Sequence, residues 1–234
     1  MRISFLYLSL MKCDCERCEI KSIFFATIRE SELDKYCNNR IEKEVKPGDI
    51  IIHQGGHIEE FIYIKQGLVK LYRDTPHGQQ IISLGKPFDF VSLLSVFAND
   101  TYSYSVSALN SGVVCIFSIQ EIRQLIHENG DFAIKLISVM NRMSERILFD
   151  YLDLNQKRLI GRIASVLLYF ADTYGLKKFE LPITRREIAQ LIGMSIENVI
   201  RCISDLRRDE ILNVYGKRIE IIDIKMLRKI RSVN

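Results

Sequence analysis

The chain has 234 residues, enough for one large domain or two smaller ones. Its 47% hydrophobic and 26% charged residues are ordinary for a soluble globular protein, and no apolar run approaches the ~20 residues that a helical membrane span needs. The net charge of +4 divides unevenly: residues 156–234 carry 16 Lys/Arg against 9 Asp/Glu, a net of +7, and the rest carry 17 against 20, a net of −3, so a basic third of the kind that binds nucleic acid joins a mildly acidic remainder.

At the N-terminus the apolar stretch Phe5-Leu6-Tyr7-Leu8 is too short for a secretory leader and no small-residue cleavage site follows it. Met11 is a second candidate start, and a cytoplasmic location is expected. Cys13, Cys15 and Cys18 crowd together, which in a cytosolic chain points to metal or redox chemistry more than to disulfides. Ser31-Glu-Leu-Asp34 reads as the capped start of a short helix.

From about residue 41 to 118 the texture is that of β-structure. Short runs rich in Val, Ile, Phe and Tyr recur at Ile50–Ile52, Phe61–Ile64, Leu68–Tyr72, Gln80–Leu84, Tyr102–Ala108 and Val113–Phe117. Turn signals separate them, among them Pro47-Gly48, Gly55-Gly56, Gly67, Pro76-His77-Gly78 and Asn110-Ser111-Gly112. Strands punctuated this closely imply an antiparallel barrel or roll.

After residue 119 the period becomes helical. Leu136, Met140, Met143, Ile147, Tyr151 and Leu154 step by three or four, as apolar residues do along one face of a coiled-coil-like helix. Lying between a closed β-module and a basic helical one, this stripe is expected to be buried against a symmetry mate, making a homodimer. A further helix over about 157–174 runs into Gly175, and a short strand is expected at Phe179–Leu181.

The segment from Pro182 to Arg201 has the signature of a helix-turn-helix. Thr184 and Glu187 form a capping box that fixes the start of the first helix, whose inner face is Ile188, Ala189 and Leu191. Gly193 can take the left-handed conformation that ends it, and Ser195 can cap a second helix with Val199, Cys202, Ile203 and Leu206 inside. Ser195, Glu197, Asn198 and Arg201 then project from the opposite side, at the end that enters the major groove of double-stranded DNA. There Arg bonds a guanine edge and Glu accepts from cytosine N4. Ile211–Tyr215 and Arg218–Ile222, around Gly216-Lys217, form a hairpin wing whose tip can touch phosphate. The expected DNA-contacting set is Thr184, Arg185, Ser195, Ile196, Glu197, Asn198, Arg201 and Lys217.

With these motifs in place the chain resembles the Crp/Fnr family of bacterial regulators over nearly its whole length. Residues 46–72 look like the opening of that family's cyclic-nucleotide-binding-type β-roll, with Gly48, Gly55 and Gly67 at its turns, and residues 184–212 are similar to its DNA-binding motif. The resemblance implies an α+β chain: a cysteine-containing segment (1–30), an N-terminal antiparallel β-roll sensor (31–128), a long dimerisation helix (129–155) and a C-terminal winged helix-turn-helix (156–234). It also implies a homodimer on a palindromic operator, with RNA polymerase as protein partner.

Two departures bear on the signal. Cyclic-AMP-responsive members carry a Glu for the ribose and an Arg followed by Ser or Thr for the phosphate. Here Leu93 stands at the Glu position and Thr101–Ser105 holds no Arg, so cyclic AMP is not the expected effector. In the oxygen-sensing branch, Cys15-Glu-Arg-Cys18 resembles the region that holds a four-iron, four-sulfur cluster, and Cys115 resembles its distant ligand. The branch's next cysteine falls at Phe24, so Cys13 would complete the set of Cys13, Cys15, Cys18 and Cys115. An iron–sulfur cluster, a zinc site and a vestigial motif with Cys115 packed as a small apolar residue all stay open. The expected signal is redox, oxygen, nitric oxide or a small molecule.

Two rival functions account for less of the chain than a DNA-binding regulator, which is not expected to be an enzyme. His53, His57, Glu59 and Glu60 are the nearest approach to a cupin-like metalloenzyme, but such a site needs a histidine from a later strand and residues 81–118 contain none. A nucleotide- or ligand-sensing regulatory module acting on a protein partner would explain the roll and leave the capped helix pair without a purpose.

Overall fold

Between residues 41 and 118 the β-branched runs pair into two sheets. The computed structural model describes residues 27–28, 39–76 and 78–232. Cys13, Cys15, Cys18, Cys37, His77 and the expected helix start at Ser31 lie outside them. One sheet has the order β1-β7-β3, with β1 at Ile41–Val45, β3 at Glu60–Gln66 and β7 at Gly112–Ser118. The other has the order β2-β6-β4-β5, built from Ile50–Ile52, Ser105–Ala108, Val69–Thr75 and Gly78–Gly85. β7 runs antiparallel to both its neighbours, as β2 does to β6.

The core of the roll is most evident on β3, where Phe61, Ile62, Tyr63 and Ile64 are all buried on alternate faces. Its outer edge does not stay open. Residues 88–91 run along it, with Ile64 N–H donating to Asp89 O at 3.0 Å, Phe88 N–H to Ile64 O at 2.9 Å and Val91 N–H to Ile62 O at 3.0 Å. Phe90 then packs its ring against Phe61 and Tyr63 at 5.1 and 4.9 Å between centroids. An edge covered in this way cannot recruit another chain's strand. The turn that delivers this segment holds Phe88 at φ +77°, a left-handed conformation that is costly for a bulky side chain. Gly67, at φ +95°, passes so near the β6–β7 turn that a Cβ there would lie 2.9 Å from Gly112 Cα.

Not every strand announces itself. β1, Ile41-Glu-Lys-Glu-Val45, is absent from the expected runs because three of its five residues are charged, and its extended form comes from pairing with β7.

Helix α1 (Ile119–Glu128) closes the roll and stops at Asn129, whose side chain accepts from Phe132 N–H at 2.9 Å and so caps the next helix. That helix, α2, spans Gly130–Gln156, about 40 Å at 1.5 Å per residue. Its expected apolar stripe is covered unevenly within the chain. Leu136 and Met143 are buried within the chain itself, Met140, Ile147 and Leu154 are half-buried, and of the expected dimer residues only Tyr151 is exposed. The exposed apolar residues are instead Ile134, Ile137, Leu148, Phe149, Tyr151 and Leu152. At 100° per residue, Ile134, Ile137, Leu148, Tyr151 and Leu152 share an arc rotated by roughly 100° from the expected stripe. The helix has two adjoining apolar faces, and spacing alone does not tell which one its own fold covers.

The C-terminal elements build on α3 (Leu159–Tyr174), which is buried over much of its circumference through Ile163, Leu167, Leu168 and Phe170. It ends at Gly175 with φ +64°, the expected stop. β8 (Lys178–Glu180), β10 (Arg218–Ile221) and β9 (Leu212–Tyr215) form a small antiparallel sheet in that order. Between them lie α4 (Arg185–Ile192) and α5 (Ile196–Arg208). The expected elements stop at Ile222, yet the chain continues in α6 (Ile224–Ser232), which packs on α3 and is capped by Asp223, accepting from Met226 N–H at 2.9 Å. By packing, the described residues divide into two units, those up to Leu71 with Leu84–Arg142, and those of Tyr72–Ser83 with 143–232. Among the described residues no helix is long and apolar enough to cross a membrane.

Candidate nucleic-acid interface

The placement of α4 and α5 follows from local chemistry. Thr184 leaves the helical region at φ −79°, ψ 166°, and its hydroxyl accepts from Glu187 N–H at 3.2 Å while Glu187 Oε2 accepts from Thr184 N–H at 2.8 Å. The Thr184 hydroxyl also donates to Glu187 Oε2 at 3.0 Å, which closes the capping box. Gly193, at φ +64°, turns the chain, and Ser195 Oγ accepts from Asn198 N–H at 3.3 Å to start α5. Inside α4 lie Ile188, Ala189 and Ile192; the expected Leu191 is only half-buried, and its neighbour takes the inner place. Inside α5 lie Val199, Cys202, Ile203 and Leu206, as the spacing predicts. Cys202 is buried, and that burial pushes its thiol pKa up.

The face of α5 opposite this core carries Glu197, Ile200, Arg201 and Ser204, all exposed. Arg201 does not bond Glu197, its i,i+4 neighbour. Its guanidinium donates to Asn198 Oδ1 at 2.9 Å, one turn nearer the helix start. The Glu197 carboxylate turns back to its own backbone N–H and the Ser195 hydroxyl, which hold its pKa below the usual range. The two side chains are thus held apart, each with donors or acceptors left for another partner. Ile196 is half-buried beside them.

The wing turn is joined to α4 by Arg185, whose Nη2 donates to Gly216 O at 3.2 Å. Arg185 is half-buried and ties the wing turn to the start of α4, a structural task that sequence spacing did not suggest. Lys217 and Arg218 are exposed at the tip, and Lys217 O accepts from Leu181 N–H at 2.9 Å, which anchors the turn from behind. Arg162, absent from the expected set, joins several helix ends. Its Nε donates to Lys157 O at 3.0 Å, Nη2 to Asn155 O at 3.4 Å and Nη1 to Ile192 O at 3.0 Å. Its only sequence signal is a cation on an otherwise apolar helix.

In the roll, Leu93 is buried and the hydroxyls nearby have partners within the chain. Ser92 Oγ accepts from Ile62 N–H at 2.9 Å, Ser105 Oγ from Gln54 N–H at 2.9 Å, Ser95 and Ser103 share a 3.1 Å bond, and Tyr104 donates to Val91 O at 2.7 Å. Burial raises the Tyr104 pKa, so this phenol stays a neutral donor. Cys115, the one expected metal ligand among the described residues, is buried on β7 with Sγ 3.9 Å from Glu42 Oε1. Glu42 in turn bridges Lys65 at 2.9 Å and Arg40 at 3.4 Å. The other three expected ligands, Cys13, Cys15 and Cys18, lie outside the described residues. His53, His57, Glu59 and Glu60 are exposed, and no group of three or more His, Cys, Asp or Glu side chains is placed to hold a metal among the described residues.

Comparison with known proteins agrees with this geometry at both ends. A model of the cyclic nucleotide-binding domain matches residues 42–129, and one of the Crp-like helix-turn-helix domain matches residues 161–230. The cAMP-activated global transcriptional regulator CRP of Salmonella typhimurium is 31% identical over 177 residues, covering 73% of this chain and 84% of that protein. The fumarate and nitrate reduction regulatory protein of Vibrio cholerae is 26% identical over 232 residues, covering 94% and 91%. The solved structure of FixK2 from Bradyrhizobium japonicum shares the fold, with a TM-score of 0.72 at 20% identity over 83% of this chain and 98% of the other.

Proposed function

The chain belongs to the Crp/Fnr family of DNA-binding transcription regulators, and on that premise we propose that it works as a cytoplasmic homodimer reading a palindromic operator through α5. The observation that carries this reading is the polarity of α5: one face is fully apolar and buried, and the other exposes Glu197 and Arg201, with the N-cap Ser195 exposed and Asn198 half-buried beside them. Arg201 takes a guanine edge and Glu197 a cytosine amine, while Lys217 at the wing tip meets backbone phosphate. Thr184 and Arg185 act one step back, holding α4 and the wing where α5 can enter the groove. Residues 31–128 act as the sensor, 129–155 as the dimer helix and 156–234 as the DNA-binding domain.

The dimer contact in this reading runs along Ile134, Ile137, Leu148, Tyr151 and Leu152, an apolar face that the chain leaves exposed. RNA polymerase is the protein partner. The signal is a redox change, oxygen, nitric oxide or a small molecule in place of cyclic AMP, because a cyclic phosphate would meet no cation at Thr101–Ser105 and a buried Leu93 where its ribose needs a carboxylate.

The test is binding of wild type and Arg201→Ala to a selected operator and to random duplex DNA. Arg201→Ala is expected to weaken operator binding by about 1–3 kcal/mol while binding to random DNA changes little. Equal loss on both would overturn the base-reading role.

A further inference from the structure

Ile200 is the anomaly on the reading face. It lies beside Arg201, one turn from Glu197 and Ser204, and is 51% exposed, while the other apolar residues nearest it on α5, Val199 and Ile203, are buried. A single exposed aliphatic is ordinary on a protein surface, so its position decides the matter. Here a β-branched residue, a mediocre helix former, stands among the exposed polar residues Glu197, Arg201 and Ser204. About half of its side chain stays open to solvent. Its backbone is engaged, with Ile200 O accepting from the Ser204 hydroxyl at 2.9 Å, but its side chain has only apolar contact to offer.

The base edges of the major groove carry one apolar group, the C5 methyl of thymine. We propose that Ile200 is a specificity-determining residue that packs on a thymine methyl within about one base-pair step of the guanine taken by Arg201. Ile200 and Arg201 lie only ~1.5 Å apart along the axis of α5, less than the ~3.4 Å between stacked base pairs, so their contacts are expected within about one base-pair step of each other. Ile196, one turn earlier and half-buried, extends the same apolar edge and shields the contact from water. The inference rests on α5 entering the major groove as proposed above.

The full-length protein is used to select an operator from a random duplex pool, and each thymine of a half-site is then replaced by deoxyuridine, which removes only the methyl. Wild type is expected to bind one such duplex about fourfold more weakly per substituted half-site, the burial of one methyl. Ile200→Ser is expected to bind the thymine and deoxyuridine forms equally while keeping its preference for the guanine. Wild-type binding that is unchanged at every substituted thymine overturns the inference, as does an Ile200→Ser protein that keeps the full thymine preference. A pool that yields no preferred sequence overturns base reading by α5 itself, and this inference with it. Thermal unfolding of Ile200→Ser near the wild-type temperature separates a reading defect from a folding one.

Discussion

Glu210 follows the C-cap of α5 at φ +56°, in the left-handed region where a glycine usually stands. Ile211 N–H donates back to Leu206 O at 3.0 Å, so the position is held by the motif that ends the helix and not by the glutamate side chain, which is exposed. Glu210→Gly is therefore expected to stabilise the C-terminal unit by ~0.5–1 kcal/mol, read as a rise of a few degrees in its thermal midpoint. Gly193 meets the same demand after α4, and there the sequence states it outright. The Arg201–Asn198 bond shows the limit of such reading. Spacing predicts that Arg201 and Glu197 share a face, which they do, but not that Arg201 would find Asn198 first while Glu197 turned to the helix start. Side-chain partners among exposed polar groups differ by fractions of a kcal/mol, of order 0.2–0.5, and no pattern of residue types resolves that.

Elements were legible where their ends are written in contiguous chemistry. Thr184 with Glu187, Gly193 and Ser195 fix both helices of the motif within twelve residues, and no distant contact is needed to place them. β1 is the opposite case, since Ile41-Glu-Lys-Glu-Val45 becomes a strand only because β7, some seventy residues later, pairs with it. α2 falls between, because its existence was legible and its orientation was not. Two substitutions separate the faces. Leu136→Ala, in the chain's own core, is expected to cost ~2–5 kcal/mol in denaturant unfolding and leave the stoichiometry unchanged. Ile137→Glu, on the exposed face, is expected to leave the fold stable and weaken self-association by at least about tenfold in light scattering, because it would bury an unpaired charge twice in a symmetric contact. Association that survives Ile137→Glu would place the dimer contact elsewhere.

Over the whole molecule the uneven charge has a thermodynamic consequence. A basic third at +7 beside a remainder at −3 attracts DNA mainly through phosphate, so affinity is expected to fall linearly on a log–log plot against salt, with a slope near −0.9 for each phosphate neutralised. Lys217→Ala at the wing tip is expected to reduce that slope by about 1 for each subunit and to weaken operator and random DNA alike. An unchanged slope would remove Lys217 from the phosphate contacts.

Arg162 gives the molecule something closer to a machine part. One planar group grips the tail of the long helix at Asn155 and Lys157 and the end of α4 at Ile192, so those three carbonyls behave as points on a single rigid plate. The end of α2 and the end of α4 are therefore expected to open and close together. Replacing that plate by a methyl group in Arg162→Ala is expected to speed hydrogen exchange at both ends together. Exchange that changed at only one end would mean the shaft and the crank were never joined there.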